Sequence, residues 1–142
     1  MENPIIREIH LIGDYITREM EKLHAVQRLS DVTGGNTRVI GFLADHVDEP
    51  IYQKDVEKAF GVTRSTASRV LALMERKGLV ERHSVPHDAR LKQVVLTDRS
   101  CEIGKVMGAA CTELTEKLLK DFTEEEKGTL LSMLMRMQQN LK

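Results

Sequence analysis

The chain of 142 residues has no tryptophan, three prolines, two cysteines and an aromatic content of 4%. Each scarcity excludes something. Cys101 and Cys111 fall on one expected helix, where ten residues of rise separate them by about 15 Å, out of reach of a disulfide. They form no metal pair and are expected to be two small, half-buried side chains. No apolar run approaches the about 20 residues that a membrane span needs. The N-terminus lacks the basic-then-apolar pattern of a secretory signal, so a cytoplasmic location is expected. A glycine-rich phosphate loop, an H-E-x-x-H, a C-x-x-C and a nucleophile elbow are all missing. The histidines at 10, 24, 46, 83 and 87 have no familiar metal spacing, and Glu124 and Glu125 read as helix-end electrostatics. Neither an enzyme nor a bound cofactor or metal is expected. Charge of one sign is lacking as well: the net charge is −1, which argues against a general coat for nucleic acid.

What is present fits one folded domain. A hydrophobic share of 41% beside 30% charged residues describes a globular chain with a real core. The charge is unevenly placed. Between Gln53 and Lys92 there are nine Lys or Arg against five Asp or Glu, a balance of +4, which leaves −5 for the remainder. A basic patch on an acidic body is the footprint of a protein that offers DNA one surface.

The chain is organised around Ile51 to Thr97. Gln53 to Phe60 reads as a short helix stopped by Gly61, which reaches the left-handed conformation at little cost. Val62 plugs the turn, and Thr63 caps a second helix running from Arg64 to about Lys77, where Gly78 ends it. At 100° per residue, Ala67, Val70, Leu71 and Met74 form the inward stripe. Ser65, Arg69, Ala72 and Arg76 lie opposite, with Ser68 beside them. Leu73 falls off the stripe, and neighbouring structure is expected to cover it. Hydroxyls and arginines on the outer face suit a helix that reads a DNA groove, because arginine bonds a guanine edge with two hydrogen bonds. A solvated surface helix carries similar residues; the flanking turn and ribbon favour the DNA reading.

After Gly78 the period changes to two. Leu79 to His83 reads as a strand, Val85 to Arg90 as a turn, and Lys92 to Leu96 as the returning strand. Such a hairpin beside a helix-turn-helix is a wing, whose arginine can enter a minor groove. Asp88 and Arg90 have a second reading, a local pair that shapes the turn, and the two readings are compatible. His83 and His87 share the wing, where contact with phosphate or solvent is expected over a metal.

Three runs now stand together: Ser65-Thr66-Ala67-Ser68-Arg69, then Met74 through Arg82, then Asp88-Ala89-Arg90 with Val95-Leu96-Thr97. In residue type and spacing they resemble the MarR family of bacterial winged helix-turn-helix transcription regulators. The match covers about a third of the chain, and the helical layout extends it over nearly the whole length. Two departures stand out. The wing usually carries Asp-Arg-Arg, whereas its middle residue here is Ala89. A glycine commonly follows Leu-Thr by a few residues, and Ser100 stands near that place, which puts the start of the next helix in question. The candidate DNA contacts are Arg64, Ser65, Thr66, Ser68, Arg69 and Arg76 on the recognition helix, with Asp88, Arg90 and Lys92 on the wing.

The flanks are helical. Pro4 to about Gln27 carries Ile5, Ile9, Ile12, Ile16, Met20 and Leu23 at helical spacing, with Asn3 as a cap. Ser30 to Asn36, containing Gly34-Gly35, reads as a loop. Thr37 to about Val47 is a helix with Val39, Ile40, Leu43 and Val47 inward, broken by Asp48-Glu49-Pro50. Ile51-Tyr52 can add a short third strand to the wing. Thr97 caps a long helix from Asp98 to about Lys120, with Ile103, Met107, Ala110, Leu114 and Leu118 on one side. Thr123 and Glu126 form a capping box for a last helix with a broad Leu/Met face.

The expected fold is mainly α with a small β-hairpin wing. Residues 31–97 form the winged helix-turn-helix DNA-binding module, and 1–30 with 98–142 form a helical dimerisation lobe. Broad apolar stripes on helices at both chain ends are most simply explained by two subunits interleaving, and the resemblance implies the same two-fold dimer. The expected function is a homodimeric, sequence-specific regulator, a repressor acting on a pseudo-palindromic operator in double-stranded DNA. The resemblance adds that a small molecule often modulates such proteins from a cleft between lobe and module. Tyr15, Phe42 and His46 fall in the segments concerned, although packing is the simpler role for each. A winged-helix protein–protein adaptor that does not bind DNA is the alternative; it requires an acidic or apolar outer face, and Arg69, Arg76 and Arg90 oppose it.

Overall fold

The computed structural model describes residues 3–26 and 29–142; Gln27, the expected end of the first helix, lies outside them. The elements are α1 (Pro4–Val26), α2 (Gly34–Asp45), α3 (Gln53–Phe60), α4 (Arg64–Arg76), β1 (Val80–Val85), β2 (Asp88–Leu96), α5 (Asp98–Leu118) and α6 (Glu124–Asn140). This is a winged helix with long flanking helices, the expected mainly α class. The chain divides into two compact units, Met1–Ala109 and Ala110–Lys142.

In the first unit, side-chain caps set most helix starts. Asn3 Oδ1 accepts from the Ile5 N–H at 2.9 Å and starts α1. α2 begins at Gly34, three residues before the expected Thr37. Two adjacent glycines suggest a loop, but Thr33 and Asn36 bond each other's backbone N–H, at 3.1 and 3.2 Å, in a reciprocal capping box. That cap satisfies two otherwise unpaired donors and offsets the poor helix propensity of glycine. α2 also ends early, at Asp45, so Val47 is exposed and not inward as expected. Thr97 Oγ1 accepts from the Ser100 N–H at 3.2 Å and starts α5 as expected. Ser100, in the place of the common glycine, is fully buried, and its hydroxyl donates to the Thr97 carbonyl at 3.0 Å.

The core gathers Val39, Ile40 and Leu43 of α2, Val56 of α3, Leu71 and Met74 of α4, Leu79, Val80 and Val94 of the wing, and Ile103 and Met107 of α5. Complete burial of a side chain such as Leu71 contributes roughly 1.5–3 kcal/mol. Val70 packs on the edge of this core. Leu73 is 40% exposed: the expected cover is not found among the described residues. On α1, Met20 and Leu23 pack on the core, whereas Ile5, Ile9 and Ile12 stay exposed.

The wing is tighter than expected. β1 and β2 pair antiparallel with Val80 opposite Leu96 and Ser84 opposite Lys92, and an irregularity follows at Ser84/Val85. Pro86 and His87 alone form the turn, and Asp88 already belongs to β2. The expected third strand is one bridge, Tyr52 to Gln93, beside a 2.7 Å bond from the Val94 N–H to the Ile51 carbonyl.

The second unit holds the later part of α5, a turn and α6. Asp121 turns with φ 68°, a conformation that aspartate tolerates better than most residues. Thr123 and Glu126 then form the expected capping box, at 3.2 and 2.8 Å. No residue of α6 is buried: Leu131, Met133, Leu134 and Met135 are all about half or more exposed. Cys101 and Cys111 are exposed, not half-buried as expected: Cys101 lies on the side of α5 away from Ile103, and Cys111 falls beyond Met107, the last buried residue of the helix. No helix among the described residues is long and apolar enough to cross a membrane.

Candidate nucleic-acid interface

In the first unit, α4 and the wing present an exposed face rich in basic side chains. Gly61 closes α3 with φ 60°, in the left-handed region where a Cβ would strain the backbone. Thr63 then caps α4: its Oγ1 accepts from the Thr66 N–H at 3.2 Å and its hydroxyl donates to Thr66 Oγ1 at 3.0 Å. With Ala67, Leu71 and Met74 held in the core, Ser65, Arg69 and Arg76 are exposed on the other side. Of the remaining candidates on α4, Arg64 is exposed at the first turn, whereas Ser68 and Thr66 are half-buried. The Thr66 hydroxyl is already engaged by the cap, which leaves it less free than the sequence implies.

The wing candidates separate by role. Asp88 is half-buried, and its Oδ1 accepts from the backbone N–H of Arg90 at 2.8 Å. The aspartate therefore shapes the turn through the backbone. Among the described residues no carboxylate pairs with the Arg90 guanidinium, which projects into solvent. Lys92 is exposed on the same strand. Arg64, Arg90 and Lys92 come together on a cleft of about 370 Å³ between helix and wing, which Lys54 and Arg82 also line, with Glu57 as its carboxylate. With Arg82 paired to Glu75, the four cations Lys54, Arg64, Arg90 and Lys92 against Glu57 still make that concavity positive, and a low-dielectric wall strengthens the field.

Sequence reasoning missed three contributors. Lys54 and Gln53 reach the cleft from the first turn of α3, and Gln53 Nε2 donates to the Arg64 carbonyl at 3.3 Å and to Glu57 Oε1 at 3.1 Å. Arg82 of β1 grips Glu75 of α4 through Nε at 3.0 Å and Nη2 at 2.7 Å, tying the wing to the helix. That hydrogen bond from Arg82 holds the Glu75 carboxyl below its usual range. The Met74–Arg82 run was legible as a motif; that its charged members clasp each other was not. His83, on the wing, bonds Glu81 at 2.7 Å, and no metal-holding cluster exists among the described residues. The rings of Phe42 and His46 meet at 4.6 Å, tilted by 46°, and Phe42 meets the edge of Phe60 at 5.8 Å, so these two residues pack, while Tyr15 is exposed.

A short helix, a glycine turn, a capped helix with arginines outward and an arginine-bearing hairpin define a winged helix-turn-helix protein. Residues 30–91 match the model of the MarR family. The chain is 26% identical over 141 residues to the HTH-type transcriptional regulator YdgJ of Bacillus subtilis, covering 92% of this chain and 85% of that one. Its fold is shared with S. aureus MepR solved in complex with DNA, at a TM-score of 0.83 and 23% identity over 99% of this chain and all of the other. It is likewise shared with the regulator MarR of Oenococcus oeni, at a TM-score of 0.80 and 22% identity over 95% and 98%. In its winged module the chain is thus similar to the MarR family of transcription regulators, and its fold is that of the solved MarR-type structures.

Proposed function

We propose that the chain is a homodimeric repressor that binds a pseudo-palindromic operator and competes there with the transcription machinery. The observation that carries the DNA part is the outward row Ser65, Arg69 and Arg76 beside the positive cleft of Arg64, Arg90 and Lys92. In this reading the row of α4 meets base edges, and the wing arginine meets a flanking minor groove. The dimer part rests on apolar surface: Ile5, Ile9 and Ile12 of α1 and, in the second unit, the Leu/Met face of α6 are exposed. Residues 1–30 and 98–142 would then supply the lobe and 31–97 the DNA-binding module. A small molecule that shifts the spacing of the two recognition helices would release the operator. A regulator of this kind acts in the cytoplasm.

Selection of bound sites from random duplex DNA tests the reading. Enrichment of an inverted repeat with half-site centres about 10 base pairs apart is the expected result. Recovery of no consensus, with weak binding to all duplexes, would overturn it in favour of the adaptor.

A further inference from the structure

The C-terminal end of α4 is held by an unusual set of side chains. Helix ends leave carbonyls without partners, and the C-terminus carries partial negative charge. Here the carbonyl of Lys77, the C-cap residue, accepts from Arg99 Nη1 at 2.7 Å, and the carbonyl of Gly78 accepts from Thr97 Oγ1 at 2.7 Å. Arg99 Nη2 lies 2.8 and 2.7 Å from the two carboxylate oxygens of Asp31, in the approach to α2. Lys77 completes the ring by donating from Nζ to Oδ1 of buried Asn36, within the α2 cap, at 3.2 Å. One guanidinium thus joins the end of the recognition helix, the first turn of α5 and the segment that leads into α2. None of these residues faces the row Ser65–Arg69–Arg76, so the ring serves no contact described above.

We infer that Arg99 is a positioning residue, which sets the direction of the recognition helix relative to α5 and so the operator spacing that the protein accepts. This rests on the operator reading proposed above. The physical argument is one of leverage. α4 is short, and its N-terminal end is held by the Thr63 cap and by one bond from Gln53. Arg82 already ties the last turn of α4 to the wing through Glu75; the Arg99 bond adds a tie to α5, a helix of 21 residues, and so restricts the swing of α4 relative to that helix. The Arg99–Asp31 pair is nearly half exposed, so its direct contribution to folding stability is small. A planar guanidinium bridges a carbonyl and a carboxylate at once, whereas an ammonium on a flexible stem does so poorly.

The test uses the full chain and operators derived from the selected site, with half-site centres moved one base pair nearer or farther. Arg99→Gln is expected to lower affinity for the best-spaced operator by about fivefold while leaving the mis-spaced ones nearly unchanged, which flattens the spacing optimum. Its thermal midpoint is expected to move by about 2 °C or less. Arg99→Lys keeps the charge but not the bridge, so it should fold as the wild type does and still show a flattened optimum. A merely structural role would instead lower affinity on all spacings in step with lost stability, and that result overturns the inference. A wild type with a sharp optimum that both variants keep also overturns it, alone. A wild type that binds no operator overturns the operator reading, and this inference with it.

Discussion

Arg90→Ala separates a DNA contact from a turn residue, because the structure assigns the turn to other atoms. Asp88 Oδ1 bonds the backbone N–H of residue 90, and alanine keeps that N–H. The guanidinium has no carboxylate partner among the described residues, so its removal should leave the thermal midpoint unchanged. Binding should respond differently. Each cation withdrawn from duplex DNA lowers the slope of log affinity against log salt by about 0.9, or about 1.8 for a dimer. Between about 50 and 200 mM salt the mutant should therefore lose roughly tenfold less affinity than the wild type does. A minor-groove arginine reads groove width, so preference for A/T-rich flanks should fade while the half-site bases are read as before. Asp88→Ala is the control: it removes the acceptor and should cost roughly 0.5–1.5 kcal/mol of stability. Fluorescence titrations on operators differing only in their flanks, repeated across salt, decide the matter. An Arg90→Ala protein with the wild-type slope and the wild-type flank preference would refute the argument and leave Arg90 as a turn residue.

Arg69→Ala should weaken specific binding by about 1–3 kcal/mol with no change in folding; unchanged operator affinity at fixed salt would remove Arg69 from the interface. Gly61→Ala should destabilise by about 1–2 kcal/mol in urea melts; a Cβ there meets no atom within 4 Å, so the whole effect is backbone strain at φ 60°, and an unaltered midpoint would show that the turn relaxes. Arg82 beside Glu75 and Arg99 beside Asp31 hold both carboxyls below their ordinary values. A depressed carboxyl pKa gives stability that is complete above the unfolded value and lost as pH falls through the folded one, so these contributions should decline only below about pH 4. Glu75→Gln with Asp31→Asn should flatten that part of a pH–stability curve, and an unaltered acid limb would count against the two pairs. Removal of Phe122 to Lys142 should yield monomer, aggregate or unfolded chain in sedimentation; a stable dimer of full thermal stability would show that α6 is not part of the lobe.

The winged module was legible from sequence because its signals are local. A glycine that needs a left-handed backbone, a threonine three residues before the N–H it caps, and a change of period from 3.6 to 2 all lie within a few residues of what they specify. The start of α2 was not legible, since Gly34-Gly35 is a loop signal by propensity and the cap that overrides it uses asparagine where glutamate or glutamine is usual. The exposure of Leu73 was missed because cover depends on what passes over a helix, which no local pattern states. Among the site residues, the outward row on α4 follows from helical geometry alone. The arrival of Lys54 and Gln53 at the same cleft as Arg64 and Arg90 does not, because it is set by how α3 packs against β2.

The recognition helix is bracketed by two left-handed glycines, Gly61 with φ 60° and Gly78 with φ 67°, and is secured inside by Ala67, Leu71 and Met74. Its length, its start and its depth are therefore decided by residues that take no part in the outer row. Positions 65, 69 and 76 are exposed and make no hydrogen bond or ion pair to the scaffold among the described residues, so substitution there is expected to leave the frame unaltered. On the DNA-binding reading proposed above, a duplicated copy of this chain would drift toward a new target through those positions without compensating changes elsewhere. Libraries randomised there should yield mutually orthogonal regulators that share one stability.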